Sequence, residues 1–238
     1  MSSLLRFTVA AMVAAAVLFV LPARGQHHAS YPRMAPLARY LMDRNAEIAL
    51  ARSAAPTSIS KDAAVLVLTR SGYSRAANGS NGFTCLVERS WMSGFDDAEF
   101  WNPKGRGAIC YNPPASRTVL QYDYVRAKLV LAGLSKMQIY ARLNAMAARK
   151  ALPTPEPGSM SYMLSKNQYL NDEARNWRPH LMFHAPQADG ANAGASWGAN
   201  LRASPVLMDS DHKLWPEPQT VFFVPVGKWS DGSPAPQP

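Results

Sequence analysis

The chain has 238 residues, 47% of them hydrophobic, with six tryptophans and a formal net charge of +9. This apolar content is that of a packed globular protein and excludes an intrinsically disordered chain. The basic excess suits an anionic surface, but no nucleic-acid recognition motif accompanies it, so nucleic acid is not an expected partner.

The N-terminus, MSSLLRFTVAAMVAAAVLFVLPARGQ, sets Arg6 before an apolar run from Phe7 to Leu21, followed by Pro22 and the small-residue pattern Ala23-Arg24-Gly25. That layout is a secretory signal peptide with cleavage near Gly25. The run is about 15 residues, short of the roughly 20 that span a bilayer, so an uncleaved anchor is the lesser alternative. The expected organisation is a signal peptide over 1–25, one α+β domain over 26–230 and a disordered tail over 231–238. The destination is periplasmic or secreted, and the chain leaves the oligomeric state open.

From Pro36 the spacing of Leu37, Tyr40, Leu41 and Ile48 predicts a helix ending before Pro56. Strands are expected over 64–69, 73–77 and 83–89, separated by turns at Ser71-Gly72 and Asn78–Gly82. Another strand covers 108–112 and is stopped by Pro113-Pro114. Residues 116–151 read as a helical pair broken at Gly133, with Ser135 as cap, although Leu120, Tyr122 and Tyr124 also alternate like a strand. Further strands follow over 159–165, 180–185 and 220–226. The sum is an α+β fold: an antiparallel sheet of about six to seven short strands with an N-terminal helix and a central helical pair.

Cys85 and Cys110 lie in two of the expected strands. In an oxidising compartment they read as a disulfide, with two buried thiols the alternative. Neither has a CxxC partner or a neighbouring histidine, so metal and redox roles are not expected.

GASWG (194–198) matches G-x-S-x-G, the turn that presents a nucleophilic serine. That chemistry needs a strand running into the turn and a helix leaving it. Here PQADGANA precedes the motif and ANLRASP follows, with no helical period. Asp211 and His212 are adjacent, which does not suit a triad built from separate loops. Ser196 therefore reads as part of a glycine-rich loop. SISK (58–61) matches S-x-x-K without the K-T-G element of penicillin-recognising enzymes. WMSGFDDAEFWNP sets Asp96, Asp97 and Glu99 among aromatic residues, but neighbours in one loop lack the separation of a glycosidase acid pair and the spacing of a calcium loop.

RPHLMFHAP carries His180 and His184 on one face of a strand bracketed by Pro179 and Pro186. In a strand they stand about 13 Å apart, beyond the reach of one ion, but with Met182 between them they line a pocket wall. His180 and His184 are the first candidates for a ligand site, with Trp91 and Glu88 as further ones. No catalytic residue, metal or cofactor is expected. In 116–151, Arg117, Arg126, Lys128, Lys136, Arg142, Arg149 and Lys150 face only Asp123. This makes an anionic envelope surface a second candidate partner beside a small molecule.

The segments NGFTCLVERSW, AEFWNPKGRGAICYNP, PHLMFHAP, SWGANL and VPVGKWSDG resemble a family of exported bacterial proteins of unassigned function. The resemblance covers most of the chain after Gly25 and implies export, not an activity. The leading expectation is non-catalytic binding of a small ligand or envelope component. The alternatives are a hydrolase of the cell envelope or periplasm and a structural envelope protein using the basic helices.

Overall fold

A computed structural model describes residues 31–187, 207–208 and 215–236. The expected signal peptide and GASWG, with Asp211 and His212, lie outside the described residues.

The first helix does not begin where the apolar spacing placed it. The chain makes a single 3-10 turn over Leu37–Arg39, and α1 (Arg44–Arg52) starts only at Asp43, whose side chain accepts the backbone N–H of Asn45 and Ala46. The reason is Tyr40, which is fully buried. Its hydroxyl donates to the Trp101 carbonyl at 2.7 Å and its ring meets Trp91 at 5.0 Å. Turning Tyr40 inward breaks the helical path, and Asp43 restarts it as an N-cap. A one-turn helix, α2 (Thr57–Ser60), absorbs the SISK motif.

Next come β1 (Ala64–Thr69), β2 (Gly72–Ala77), β3 (Thr84–Glu88), a 3-10 turn over Ser90–Met92, and β4 (Gly107–Tyr111). The tight β1–β2 hairpin pairs Thr69 with Gly72, whose φ of +115° favours glycine. Pro113 and Pro114 do more than stop β4. They open α3 (Pro113–Arg117), because the first turn of a helix has no use for the N–H that proline lacks. Asn112 caps it through the Ala115 N–H at 3.1 Å. The helical pair is α4 (Leu120–Leu131) and α5 (Lys136–Ala148). The remaining strands are β5 (Met160–Met163), β6 (His180–Pro186), β7 (Leu207–Met208) and β8 (Gln219–Pro225).

The eight strands of the described residues form one sheet in the order β2-β1-β3-β4-β5-β6-β8-β7. Every pair is antiparallel except β1–β3. That parallel step arises because the hairpin puts β2 on the outer edge of β1, so β3 must return on its inner side. The fold is α+β.

Strand alternation divides the sheet into two faces. On one, Val65, Cys85, Val87, Ala108 and Cys110 meet Ala51, Ala54 and Ala55, small residues that let α1 lie close. Cys85 and Cys110 stand directly opposite across β3 and β4 and form a disulfide. On the other face, Leu66, Leu86, Ile109, Met163 and Met182 join the main core under Trp91, Phe95, Phe100 and the helical pair.

Two details correct or sharpen the reading of the chain. Residues 231–236 are not a disordered tail. Lys228 bridges Pro234, Trp229 donates to Ser233 at 2.9 Å, Lys166 pairs with Asp231, and Ala235 is buried. A local turn overrides the Ser/Pro/Gly composition. Gly133, where α4 ends, has φ +78°, and a Cβ there would meet no atom within 4 Å. Gly133→Ala is therefore expected to cost about 1 kcal/mol through backbone conformation alone. Urea denaturation should show a lower midpoint with an unchanged slope.

Candidate functional site

The second face of the sheet is incompletely filled where β3 to β6 pass beneath the 3-10 turn at Ser90–Met92. Gly107 pairs with Glu88, and Met163 and Leu170 close over the glycine so tightly that a Cβ there would stand 3.2 and 3.3 Å from their methyl groups. Gly107 borders a cavity of about 170 Å3, bounded by Met92, Met163, Met182, Trp177, Trp215 and Phe223, with Glu88 and His180 among its polar residues. A smaller cavity of about 80 Å3 adjoins it, lined by Tyr111, His184, Glu217 and Gln219. Glu88, Met92, Met182, Trp215 and Phe223 border both.

Of the four expected ligand residues, three stand at this place. The alternation of β6 buries His180, Met182 and His184 on one face. The histidines border different cavities, separated by Met182, and Glu88 borders both. Trp91 does not join them. It is fully buried, packed on Tyr40, and borders neither cavity. The 3-10 turn Ser90–Met92 places Trp91 in the core.

The two histidines have different chemistry. Nδ1 of His184 meets the Gln219 Oε1 at 3.0 Å, which can only accept. Nδ1 therefore carries the proton, and Nε2 accepts the Ser161 hydroxyl at 3.0 Å. The Ser-His-Gln order imitates a nucleophile with its base. Yet Ser161 is wholly buried and borders neither cavity, so the chain of bonds is a strut between strands. Burial pushes the His184 imidazole down to about 4. In His180, Nδ1 donates to the Arg178 carbonyl at 2.8 Å. Its Nε2 is left as a buried acceptor with no partner among the described residues. Burial lowers the affinity of His180 for a second proton too.

Glu88 belongs to a carboxyl pair that the chain gave little hint of. The Tyr111 hydroxyl lies 3.0 Å from Glu88 Oε1 and 2.9 Å from Asp123 Oδ2. One hydroxyl hydrogen cannot serve both, so the second contact is satisfied when one carboxyl holds a proton and donates to the phenol oxygen. Burial pushes the Glu88 carboxyl up to about 7, against the Tyr111 hydrogen bond and the nearby Arg126 charge. Burial and the adjacent Glu88 raise Asp123 well above the usual carboxylate range. Behind the pair, Arg126 makes a two-pronged ion pair with Glu217, at 2.5 and 2.8 Å, both side chains buried. The available signal for Asp123 and Arg126 was their i, i+3 placement within the apolar stripe of α4, a costly position for charge unless it is paired.

The other candidates separate from the site or thin out. Asp97 and Glu99 border the larger cavity, but both are tied into local structure. Asp97 caps the Glu99 N–H at 2.7 Å, and Glu99 accepts from Asp172 and Asn102. The basic stretch 116–151 loses Arg126 to the interior and Arg117 to an ion pair with Glu156, while Lys136 lies over Phe100. Lys128, Arg142, Arg149 and Lys150 remain exposed. Among the described residues, no three His, Cys, Asp or Glu side chains gather to hold a metal ion, and no helix is long and apolar enough to cross a membrane. No family model, curated protein or solved structure matches the chain significantly.

Proposed function

We propose that this is an exported protein that binds a small, largely apolar molecule in the cavity beneath β3 to β6, without catalysing its conversion. The observation that carries the reading is His180 Nε2, a buried acceptor without a partner among the described residues, at the wall of a cavity lined by Met92, Met163, Met182 and aromatic rings with a few charged groups. A buried unpaired acceptor is destabilising by about 1–3 kcal/mol, so such a group in a native fold calls for an explanation, and a bound donor supplies one. The surroundings support it: mostly apolar walls with a few placed polar groups are the usual make-up of a ligand site. The volume is close to that of cavities, about 150 Å3, that admit benzene. Export is supported by the apolar N-terminal run and by the disulfide.

The test is a thermal-shift screen of the protein against small aromatic and alicyclic molecules, followed by calorimetry on the hits. Only a native-state binder raises the melting temperature by mass action, by about 2.7 kcal/mol at a hundred times Kd. In Gly107→Ala, the new Cβ would stand 3.2 Å from the Met163 methyl and 3.3 Å from a Leu170 methyl, pressing both toward the cavity. We expect this variant to fold and to bind a hit about tenfold more weakly. Binding that is unaltered by Gly107→Ala would place the ligand elsewhere.

A second reading, a hydrolase, is favoured by one feature. A carboxyl held near neutrality at a cavity wall is a suitable general acid. It predicts turnover of some ester, amide or glycoside that is lost in Glu88→Gln while the melting temperature is kept. A fold-preserving Glu88→Gln variant that retains turnover would remove it.

A further inference from the structure

We infer that the ligand of this cavity is a small organic cation, an amine with a benzene-sized apolar body; the inference rests on the binding reading above and narrows it to a chemical class.

The first ground is the sign of two polar groups at the wall. His180 Nε2 is a lone pair, because its partner nitrogen donates to Arg178. The Glu88–Asp123 pair, with one proton between two carboxyls, presents a single negative charge, and Glu88 is the member that reaches the cavity. Both groups ask for a donor.

The second ground is that the cationic side chains at the wall are already engaged. Arg89 donates through Nε to the Tyr40 carbonyl at 2.7 Å and through Nη2 to Glu47 at 2.8 Å, and Nη1 bonds the Val87 carbonyl. Arg106 donates through Nη1 to the carbonyls of Pro103 and Gly105, and through Nη2 to Arg39. A carboxylate or phosphate ligand would find acceptors facing it and guanidinium groups turned away. Since Glu47 balances Arg89, the charges that remain at the wall are Glu88, Asp97 and Glu99 against Arg106.

The third ground is aromatic. Trp177 packs against Phe223 at 6.4 Å and His180 at 6.2 Å, and Trp215 borders the same space. The negative faces of such rings attract a cation, and a ligand ammonium among them adds to the attraction of the carboxyl pair. An uncharged hydrocarbon could fill the volume but would leave His180 unpaired.

The experiment is calorimetry of the whole protein at pH 7.5 with four probes of nearly equal size: benzylamine, benzyl alcohol, toluene and benzoate. We expect benzylamine to bind at least about tenfold more tightly than the alcohol or toluene, with benzoate the weakest. His180→Phe and Glu88→Gln, each checked for an intact melting transition, should erase the preference for the amine while toluene still binds. If the alcohol, toluene or benzoate binds as well as the amine, the cation assignment fails and the binding reading stands. If none of the four binds, both fail. A preference for the amine that survives both substitutions would also overturn the assignment, since the selecting groups would lie elsewhere.

Discussion

Arg126→Met is expected to destabilise the protein by about 3–5 kcal/mol, the largest effect of any single substitution considered for this fold. Arg126 is fully buried and makes four hydrogen bonds to three partners. Nε and Nη2 hold the Glu217 carboxylate, and Nη1 donates to the carbonyls of Trp91 and Ser93 at 2.8 and 2.7 Å. The guanidinium also lies over Phe95 at 4.6 Å and Trp215 at 5.2 Å. Methionine keeps most of the volume and none of the charge, so what remains is a buried Glu217 without its cation and two carbonyls without donors. The residue is also a linchpin between parts of the chain distant in sequence: α4, the turn after β3, and the segment that enters β8. The double variant Arg126→Met with Glu217→Met distinguishes an uncompensated charge from lost packing. If the charge dominates, the second substitution should recover about half or more of the loss, because a buried ion pair often contributes little more than well-packed apolar residues. Chemical denaturation of the wild type and three variants measures this. A double variant no more stable than Arg126→Met would mean that the carbonyl bonds and the stacking, not the charge pair, hold the elements together.

The elements themselves were largely legible in the chain, because each depends on local chemistry. The β-rich runs over 64–69 and 83–89, with the turns beside them, gave β1 and β3, and Gly133 with Ser135 marked the break between α4 and α5. The errors occurred where a distant contact overruled a local signal. Tyr40 keeps a helical spacing with Leu37 and Leu41, yet its hydroxyl is claimed by Trp101, and the helix begins later. The composition of 231–238 is that of a loose tail, but a turn around Asp231 and Ser233 with an ion pair to Lys166 holds residues 231–236. Pro113-Pro114 carries two signals, the end of a strand and the first turn of a helix, and the second shows only once Asn112 caps it.

The site was legible in part for the same reason. His180 and His184 could be placed on one face because strand period is a property of a single segment. That their shared face borders two cavities divided by Met182 depends on Phe223 and Trp215, which arrive from elsewhere in the chain. In the sequence Asp123 is the lone acid of a basic region, whereas burial makes it part of a carboxyl pair with a residue of β3. Net charge along a segment says nothing of which charges point inward. Here two of the eight charged side chains of 116–151, Asp123 and Arg126, are fully buried, and they bond Tyr111 and Glu217 at the smaller cavity.

The carboxyl pair gives the second large expectation, which concerns pH. Glu88 titrates near 7 in the folded protein against about 4.3 in an unfolded chain, and Asp123 is shifted in the same direction. Below about pH 4 both states hold these protons and the pair costs nothing. As pH rises from there through 7, the unfolded chain releases protons that the folded protein keeps, so stability falls, by up to about 3 kcal/mol for Glu88, less what solvent at the cavity wall screens. The histidines act oppositely. His184, neutral in the fold down to about 4, loses stability for the protein as pH falls below about 6.5. The two trends cancel over much of pH 4.5 to 6.5, so the wild-type profile alone is uninformative, and the difference against Asp123→Asn is the quantity to measure. Asparagine preserves the shape and an acceptor for Tyr111 but cannot ionise, which leaves Glu88 facing only Tyr111, Arg126 and the more distant Tyr73. We expect the variant to match the wild type within about 1 kcal/mol at pH 4.5 and to exceed it by about 1–3 kcal/mol at pH 8. A difference that does not change with pH would show that Asp123 takes up no extra proton on folding and shares none with Glu88.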